Sequence, residues 1–263
     1  GFTAREASTM DPQHRLSLEC AYLALENAGY YPEQSIKRVG VFAGCGFSTY
    51  LLNNVHPATG LYANRTFLES SNELQLMVAN DKDYLATRIA FKLDLKGPAI
   101  TVQTACSTSL VAIHLAAQSI LRGECEVALG GGVNITVPQH CGYLYQQDMM
   151  FSKDGQCRPF DDNATGTVFG SGVGMVVLKN YEKAIEDGDR IYATLIGSTI
   201  NNDGSEKAGF ITPSSLGQQE VIREAIDQAR INPDTIGYVE AHCTGTIIGD
   251  PLEVRSLSKV YRE

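Results

Sequence analysis

Residues Lys96–Gly132 read KGPAITVQTACSTSLVAIHLAAQSILRGECEVALGGG. Ala99–Val102 is short, β-branched and mostly apolar, which suits a buried strand, and Gly97-Pro98 marks its start. From Ser107 to Leu121 the apolar residues Leu110, Val111, Leu115 and Leu121 recur at helical spacing, with Ala112, Ala116 and Ala117 among them. Gly123 stands where a C-terminal cap is expected, and Glu126–Leu129 predicts a second strand. Cys106 falls between the first strand and the helix. A thiol there faces unpaired backbone N–H groups and the positive end of the helix dipole, and both favour the thiolate. The setting resembles a nucleophile elbow in form, without its G-x-S-x-G. The competing reading is a buried structural cysteine, and position alone leaves the two level.

The 263 residues are enough for one large or two small domains with a substantial core. At 43% hydrophobic and 19% charged, the composition is that of a globular protein. The net charge of −9, with no basic cluster, argues against nucleic acid as a partner. No apolar run approaches the roughly 20 residues of a membrane helix, and the N-terminus has no signal-peptide layout. The seven cysteines are scattered without a C-x-x-C pair, so no metal is expected and a reducing, cytoplasmic setting fits. The chain opens without Met in a loop-like stretch, as a segment of a longer protein would.

Asp11-Pro12 reads as an N-cap and first-turn proline of a helix that stops at Gly29. Val39–Gly44 predicts a buried strand, Ser48–Gly60 an irregular stretch, Asn72–Val78 a short helix, and Asp81 the start of another. Pro138–Met150 is expected to hold a short helix and Phe151–Asp162 a turn-rich loop. Thr167–Leu178 predicts a glycine-interrupted strand, Tyr181–Asp187 a short helix, Ile191–Ile200 a strand, and Ser215 the start of a longer helix. Ile236–Ala241 predicts a strand delivering His242, and Asp250-Pro251 starts the last helix. The alternation predicts an α/β architecture with parallel pairing and sheets covered on both faces.

The second stretch that carries chemistry is Glu240-Ala-His-Cys-Thr-Gly-Thr-Ile-Ile-Gly-Asp-Pro251. Small residues after His242 let a substrate approach the backbone. The hydroxyls of Thr244 and Thr246 can hydrogen-bond it, and the imidazole can polarise a carbonyl or move a proton. A lone histidine is more often a packed one, and His14, His56, His114 and His140 are read that way. Two strand ends, one presenting Cys106 and one His242, are expected to meet in space.

T-A-C-S-T-S-L at 104–110 and E-A-H-C-T-G-T-x-x-G-D-P at 240–251 resemble the two signature motifs of β-ketoacyl synthases. Asp11-Pro-Gln-His-Arg-Leu16, Cys157-Arg-Pro-Phe-Asp161 and Asn201-Asn-Asp-Gly204 match that family as well, in the right order. The whole sequence looks most like ketosynthase domains of modular type I polyketide synthases, including those mixed with non-ribosomal peptide synthetases. The resemblance implies a thiolase-like fold, layered α-β-α-β-α from two similar halves. About 1–180 would be the N-terminal half with Cys106, mostly present, and about 181–263 the start of a truncated C-terminal half with His242.

It further implies an acyltransferase. Cys106 would take an acyl chain from an acyl carrier protein. A malonyl-type extender on another carrier would lose CO2 and attack the Cys106 thioester. His242 would hydrogen-bond the extender's carbonyl, the Cys106 N–H would form part of an oxyanion hole, and Thr244 and Thr246 would hold the phosphopantetheine arm. No cofactor would be bound directly. The implied partners are the acyl carrier protein, a second copy in a homodimer, and the rest of a multidomain synthase. The alternatives are a non-elongating domain that binds and passes on acyl chains, and a thiolase or chain-initiating synthase of the same fold.

The sequence departs from the family at Gln103 (often Asp), Thr108 (more often Ser), Ser171 (frequently Glu) and Cys243 (usually Gly). Set against the family's pattern, residues 1–263 are expected to lack its first strand and the lysine and second histidine of its N-I-G-H motif. Residues 1–263 alone are therefore expected to fold poorly and not to condense.

Overall fold

The computed structural model describes residues 1–30, 38–59, 70–147 and 149–262. The chain divides into two compact units, Gly1–Cys141 with Gly170–Ala193, and Gly142–Phe169 with Thr194–Glu263.

In the first unit α1 (Ala4–Thr9) and α2 (Pro12–Asn27) precede β1 (Val39–Cys45). A π-helical turn, Leu51–Val55, continues into α3 (His56–Thr59). After it come α4 (Ser71–Asn80), a 3-10 turn and α5 (Leu85–Leu93). β2 (Ala99–Thr101) leads through a second 3-10 turn, Ala105–Ser107, to α6 (Thr108–Leu121) and β3 (Val127–Asn134). β4 (Gly172–Lys179) and α7 (Tyr181–Glu186) complete the unit. The strand order is β2-β1-β3-β4.

Alternation along β1 and β3 sends two apolar sets to opposite faces. Val39, Val41, Val127 and Leu129 pack with Ala21 and Leu25 of α2 and with Ala86 and Ile89 of α5. Phe42 and Ala128 pack with Ala112 and Ala116 of α6. The unit is thus three layers, helix–sheet–helix, and all seven residues of β1 are buried. Glycine lets α6 lie close on the sheet. A Cβ on Gly130 would stand 3.1 Å from Ile113 Cα.

Asp11 caps α2, accepting the Gln13 N–H at 2.8 Å. The fully buried Gln13 amide closes the ends of two strands. Its Oε1 accepts the N–H of Gly46 (2.9 Å) and of Ile135 (3.3 Å), just beyond β1 and β3. On β4, Lys179 Nζ meets Asp187 Oδ2 and the Tyr30 hydroxyl, each at 2.6 Å. Burial alone would lower its pKa, but these bonds and one to Asp189 hold it above the usual lysine value.

The second unit contains α8 (Ser215–Ala229) and α9 (Gly249–Val260). Asn201-Asn-Asp-Gly204 braces the start of α8. Asn201 Nδ2 donates to the Gly217 carbonyl at 2.9 Å, and Asp203 Oδ2 accepts the Ser214 N–H at 3.3 Å.

The structure corrects several expectations. The sheet is mixed, because β4 pairs antiparallel with β3. As an edge strand, β4 is less buried than β1. Ser48–Gly60 is helical over Leu51–Thr59 because Val55 packs on Leu76 of α4, and packing overrides a weak local pattern; Gly60 lies outside the described residues. Pro138–Met150 forms no helix among the described residues, which exclude Asp148. Tyr143 instead stacks on Phe151 at 4.9 Å and donates its hydroxyl to the Ser152 carbonyl.

Ile191–Ile200 and Ile236–Ala241 are not strands among the described residues. A strand exists through its ladder, and the first of these segments uses side-chain partners instead. The Ser198 N–H donates to Gln228 Oε1 at 2.7 Å and Thr199 Oγ1 to the Val221 carbonyl at 3.0 Å, so the first segment leans on α8. Ile196 and Tyr238 are left 64% and 77% exposed.

Buried His14 accepts a hydrogen bond at Nδ1 from Arg88 Nε, 3.2 Å away. Burial, reinforced by the guanidinium, lowers its pKa from 6.5 to about 4. Between those values the unfolded chain holds a proton that the folded chain does not, so stability falls as pH drops through the window. Urea unfolding from about pH 7 to about pH 4 is expected to reveal a loss of about 3 kcal/mol that His14→Gln removes. Equal pH dependence in both proteins would refute this role for His14.

Candidate active site

Cys106 is the middle residue of the 3-10 turn between β2 and α6. As an early residue of that turn, its N–H has no partner within the turn. The turn enters through Ala105 at φ 53°, in the left-handed region, where a Cβ costs about 1–2 kcal/mol. Two bonds brace it. The Thr104 N–H donates to Thr108 Oγ1 at 2.9 Å, and Ser107 Oγ donates to the Thr104 carbonyl at 2.9 Å. Cys106 is left exposed.

His242, Thr244 and Thr246 share one loop of the second unit, so the structure brings those three together within one unit; Cys106 belongs to the other. The loop is fixed by two carboxylates on the first turns of α9. Glu253 Oε1 accepts the His242 N–H at 2.6 Å and Oε2 the Cys243 N–H at 3.2 Å. Buried Asp250 accepts the Gly245 N–H at 3.0 Å and the Thr244 hydroxyl at 3.3 Å. Its other oxygen takes the Phe160 N–H at 2.7 Å. The hydroxyls of Thr244 and Thr246 lie 2.9 Å apart, and Thr246 Oγ1 also accepts the Gly249 N–H at 3.1 Å.

Cys157-Arg-Pro-Phe-Asp161 lies against this loop. Cys157 Sγ donates to the Thr244 carbonyl at 3.5 Å, and a Cβ on Gly245 would stand 3.0 Å from the Gly166 carbonyl oxygen. Cys243 has φ 55° and is half-buried. Partial burial and the carboxylates of Glu253 and Glu240 raise its thiol pKa, so it stays protonated at neutral pH.

The sequence reading passed over Glu253 and gave Asp250 only a place at a helix start. Their spacing of three on one helix puts both on one face, and D-P-x-E at 250–253, with three residues between it and the T-G-T turn, carried that signal. A groove of about 550 Å³, lined by Val221, Ala225, Ile236, Val239 and Leu257, lies between α8 and α9. It contains neither His242 nor the threonines. Among the described residues no group of three or more His, Cys, Asp or Glu side chains is placed to hold a metal ion, and no helix is long and apolar enough to cross a membrane.

Residues 1–184 match the N-terminal domain of β-ketoacyl synthases and residues 192–263 the C-terminal domain. The chain belongs to the β-ketoacyl synthase family. It is 48% identical over 263 residues to a phenolphthiocerol/phthiocerol polyketide synthase of Mycobacterium tuberculosis, covering 99% of this chain and 18% of that protein. It is 42% identical over 269 residues to the polyketide synthase PksL of Bacillus subtilis, covering 99% of this chain and 6% of that one.

Among solved structures, ketosynthase twelve of the bacillaene polyketide synthase of Bacillus amyloliquefaciens superposes with a TM-score of 0.88 at 38% identity, over 99% of this chain and 44% of that chain. The ketosynthase from module 1 of the B. amyloliquefaciens bacillaene synthase gives 0.85 at 39%, over all of this chain and 44% of that one. The fold is therefore that of the thiolase-like ketosynthases. The chain spans less than half the length of these solved relatives and less than a fifth of the curated ones.

The ketosynthase chain holds Cys243 in a conformation that glycine adopts at little cost. Cys243→Gly is therefore expected to stabilise the protein by about 1 kcal/mol, read as a higher urea midpoint with an unchanged slope. A lower midpoint would mean that packing of the thiol outweighs the backbone strain.

Proposed function

We propose that this chain is the part of a polyketide synthase that joins acyl units by decarboxylative Claisen condensation, with Cys106 as the nucleophile. The observation that carries this reading is the exposed thiol in a strained turn at the start of α6. Residues of about 1–180 supply Cys106 and those of about 181–263 supply His242.

The Cys106 thiolate attacks the thioester carbonyl of an acyl chain carried by the phosphopantetheine arm of an acyl carrier protein. The bond from carbonyl carbon to the arm's sulfur breaks, and that thiol leaves. A malonyl-type extender on a carrier then loses CO2, and the electron pair of the broken C–C bond forms an enolate. Its carbon attacks the Cys106 thioester, the Cys106 sulfur leaves, and a β-ketoacyl chain remains on the carrier.

His242 donates a hydrogen bond to the extender's thioester carbonyl as negative charge grows there. The Cys106 N–H does the same for the acyl carbonyl during loading. Thr244 and Thr246 hold the phosphopantetheine arm, and their half-buried, adjacent hydroxyls suit a polar, flexible ligand. No cofactor is bound directly. The partners in this reading are the acyl carrier protein, a second copy of the chain and the remainder of the synthase, in the cytoplasm.

The complete ketosynthase domain is incubated with an acyl thioester and the adduct is mapped by mass spectrometry; condensation with a malonyl-carrier substrate is followed separately. Cys106→Ala is expected to abolish the adduct, with Cys45, Cys125 and Cys157 unmodified. His242→Ala is expected to load Cys106 normally yet lose about 10²–10³-fold in decarboxylation and condensation. An adduct at wild-type level in Cys106→Ala would sink the nucleophile assignment. Failed loading with continued decarboxylation in His242→Ala would reverse the role of the histidine.

A further inference from the structure

We infer that Glu253 is a positioning residue that aims His242 through the backbone, and that this chain relies on it because Cys243 occupies a left-handed position. The inference rests on the condensation reading above and adds a residue to it. Glu253 binds the N–H groups of two successive residues with its two oxygens, at 2.6 Å and 3.2 Å, and those residues are His242 and Cys243. A carboxylate across two adjacent amides fixes the peptide plane between them, and with it the Cα–Cβ direction from which the imidazole projects.

The second observation is the backbone of Cys243. At φ 55° its Cβ crowds its own backbone, so the turn tends to relax toward negative φ unless something holds it. Asp250 anchors the far side of the turn at Gly245 and Thr244, and Glu253 anchors the near side. The near side carries the residue that resists the conformation. With glycine at 243 the turn would be favourable by itself, and the clasp would matter less.

Glu253→Gln in the complete ketosynthase domain tests this, because its amide retains one acceptor oxygen and loses the other. Condensation is expected to fall about tenfold or more while the rate of Cys106 acylation stays within twofold of wild type. Cys243→Gly combined with Glu253→Gln is expected to recover most of the loss. Combining Glu253→Gln with His242→Ala is expected to be no worse than His242→Ala alone, since the carboxylate acts through the imidazole. Hydrogen exchange at the amides of 242 and 243 is expected to quicken in Glu253→Gln and to slow again when Cys243→Gly is added.

Condensation within twofold of wild type in Glu253→Gln would overturn the inference. So would a parallel fall in acylation and condensation, or an equal loss with Cys and with Gly at 243. If Glu253→Gln does not fold, the double variant with Cys243→Gly is compared with Cys243→Gly alone. A condensation loss there as large as His242→Ala produces then counts against a clasp that glycine relieves, and a small one supports it. If His242→Ala condenses normally, the role of the histidine fails, while amide exchange at 242 and 243 still reports whether the clasp exists.

Discussion

A Cβ on Gly44 would stand 2.0 Å from the carbonyl oxygen of Val102 and 2.3 Å from Thr108 Cγ2. That closeness governs the first unit. The end of β1 is pressed between the exit of β2 and the start of α6, and no side chain fits there. The same economy recurs on β3, where Gly130 lies under Ile113. Because α6 cannot ride higher on the sheet, the link from β2 to α6 must be short. It turns through Ala105 in the left-handed region and leaves Cys106 outside. Strain at the turn is thus a consequence of tight helix–sheet packing, and the packing of both faces holds it in place.

The second unit reaches a comparable end by other means. The loop from His242 to Thr246 rests on no ladder among the described residues, and carboxylates replace it. Asp250 and Glu253, three apart on α9, collect the N–H groups of 242, 243, 245 and 160. Hydrogen bonds to a charged acceptor are about twice as strong as neutral ones. Two side chains therefore do for this loop what several ladder bonds do for a strand.

Whatever is encoded within a few residues was legible in the sequence. Asp11-Pro12 announced α2, and the 3.6-residue spacing announced α6 and α8. The motifs placed Cys106 at a strand–helix junction and His242 before a small-residue turn. What depends on distant partners was not. Ile191–Ile200 and Ile236–Ala241 have strand composition, but a ladder is a relation between segments and no single segment carries it. Pro138–Met150 has apolar residues at helical intervals, yet Tyr143 and Phe151 find each other instead. The antiparallel edge at β4 follows from where the chain returns to the sheet. The clasp of Glu253 was within reach of a sequence reading, since the spacing was visible, but its target was backbone amides, which leave no residue-type signal.

Exposure alone does not single out Cys106 among seven thiols, since Cys141 and Cys157 are exposed as well. The differences lie in what surrounds each sulfur. Burial pushes the Cys45 thiol up to about 11, which keeps it protonated. Cys243 is raised by burial and by carboxylates. Cys157 spends its S–H on the carbonyls of Cys243 and Thr244, and Cys141 on that of Gln139. Cys45 and Cys243 are thus held as thiols, and Cys141 and Cys157 are engaged with backbone carbonyls. Cys106 is instead the exposed middle residue of the turn that leads into α6, and a helix start is where growing negative charge on a bound carbonyl is stabilised. The chemistry proposed for this chain develops that charge on the acyl oxygen when the Cys106 sulfur attacks.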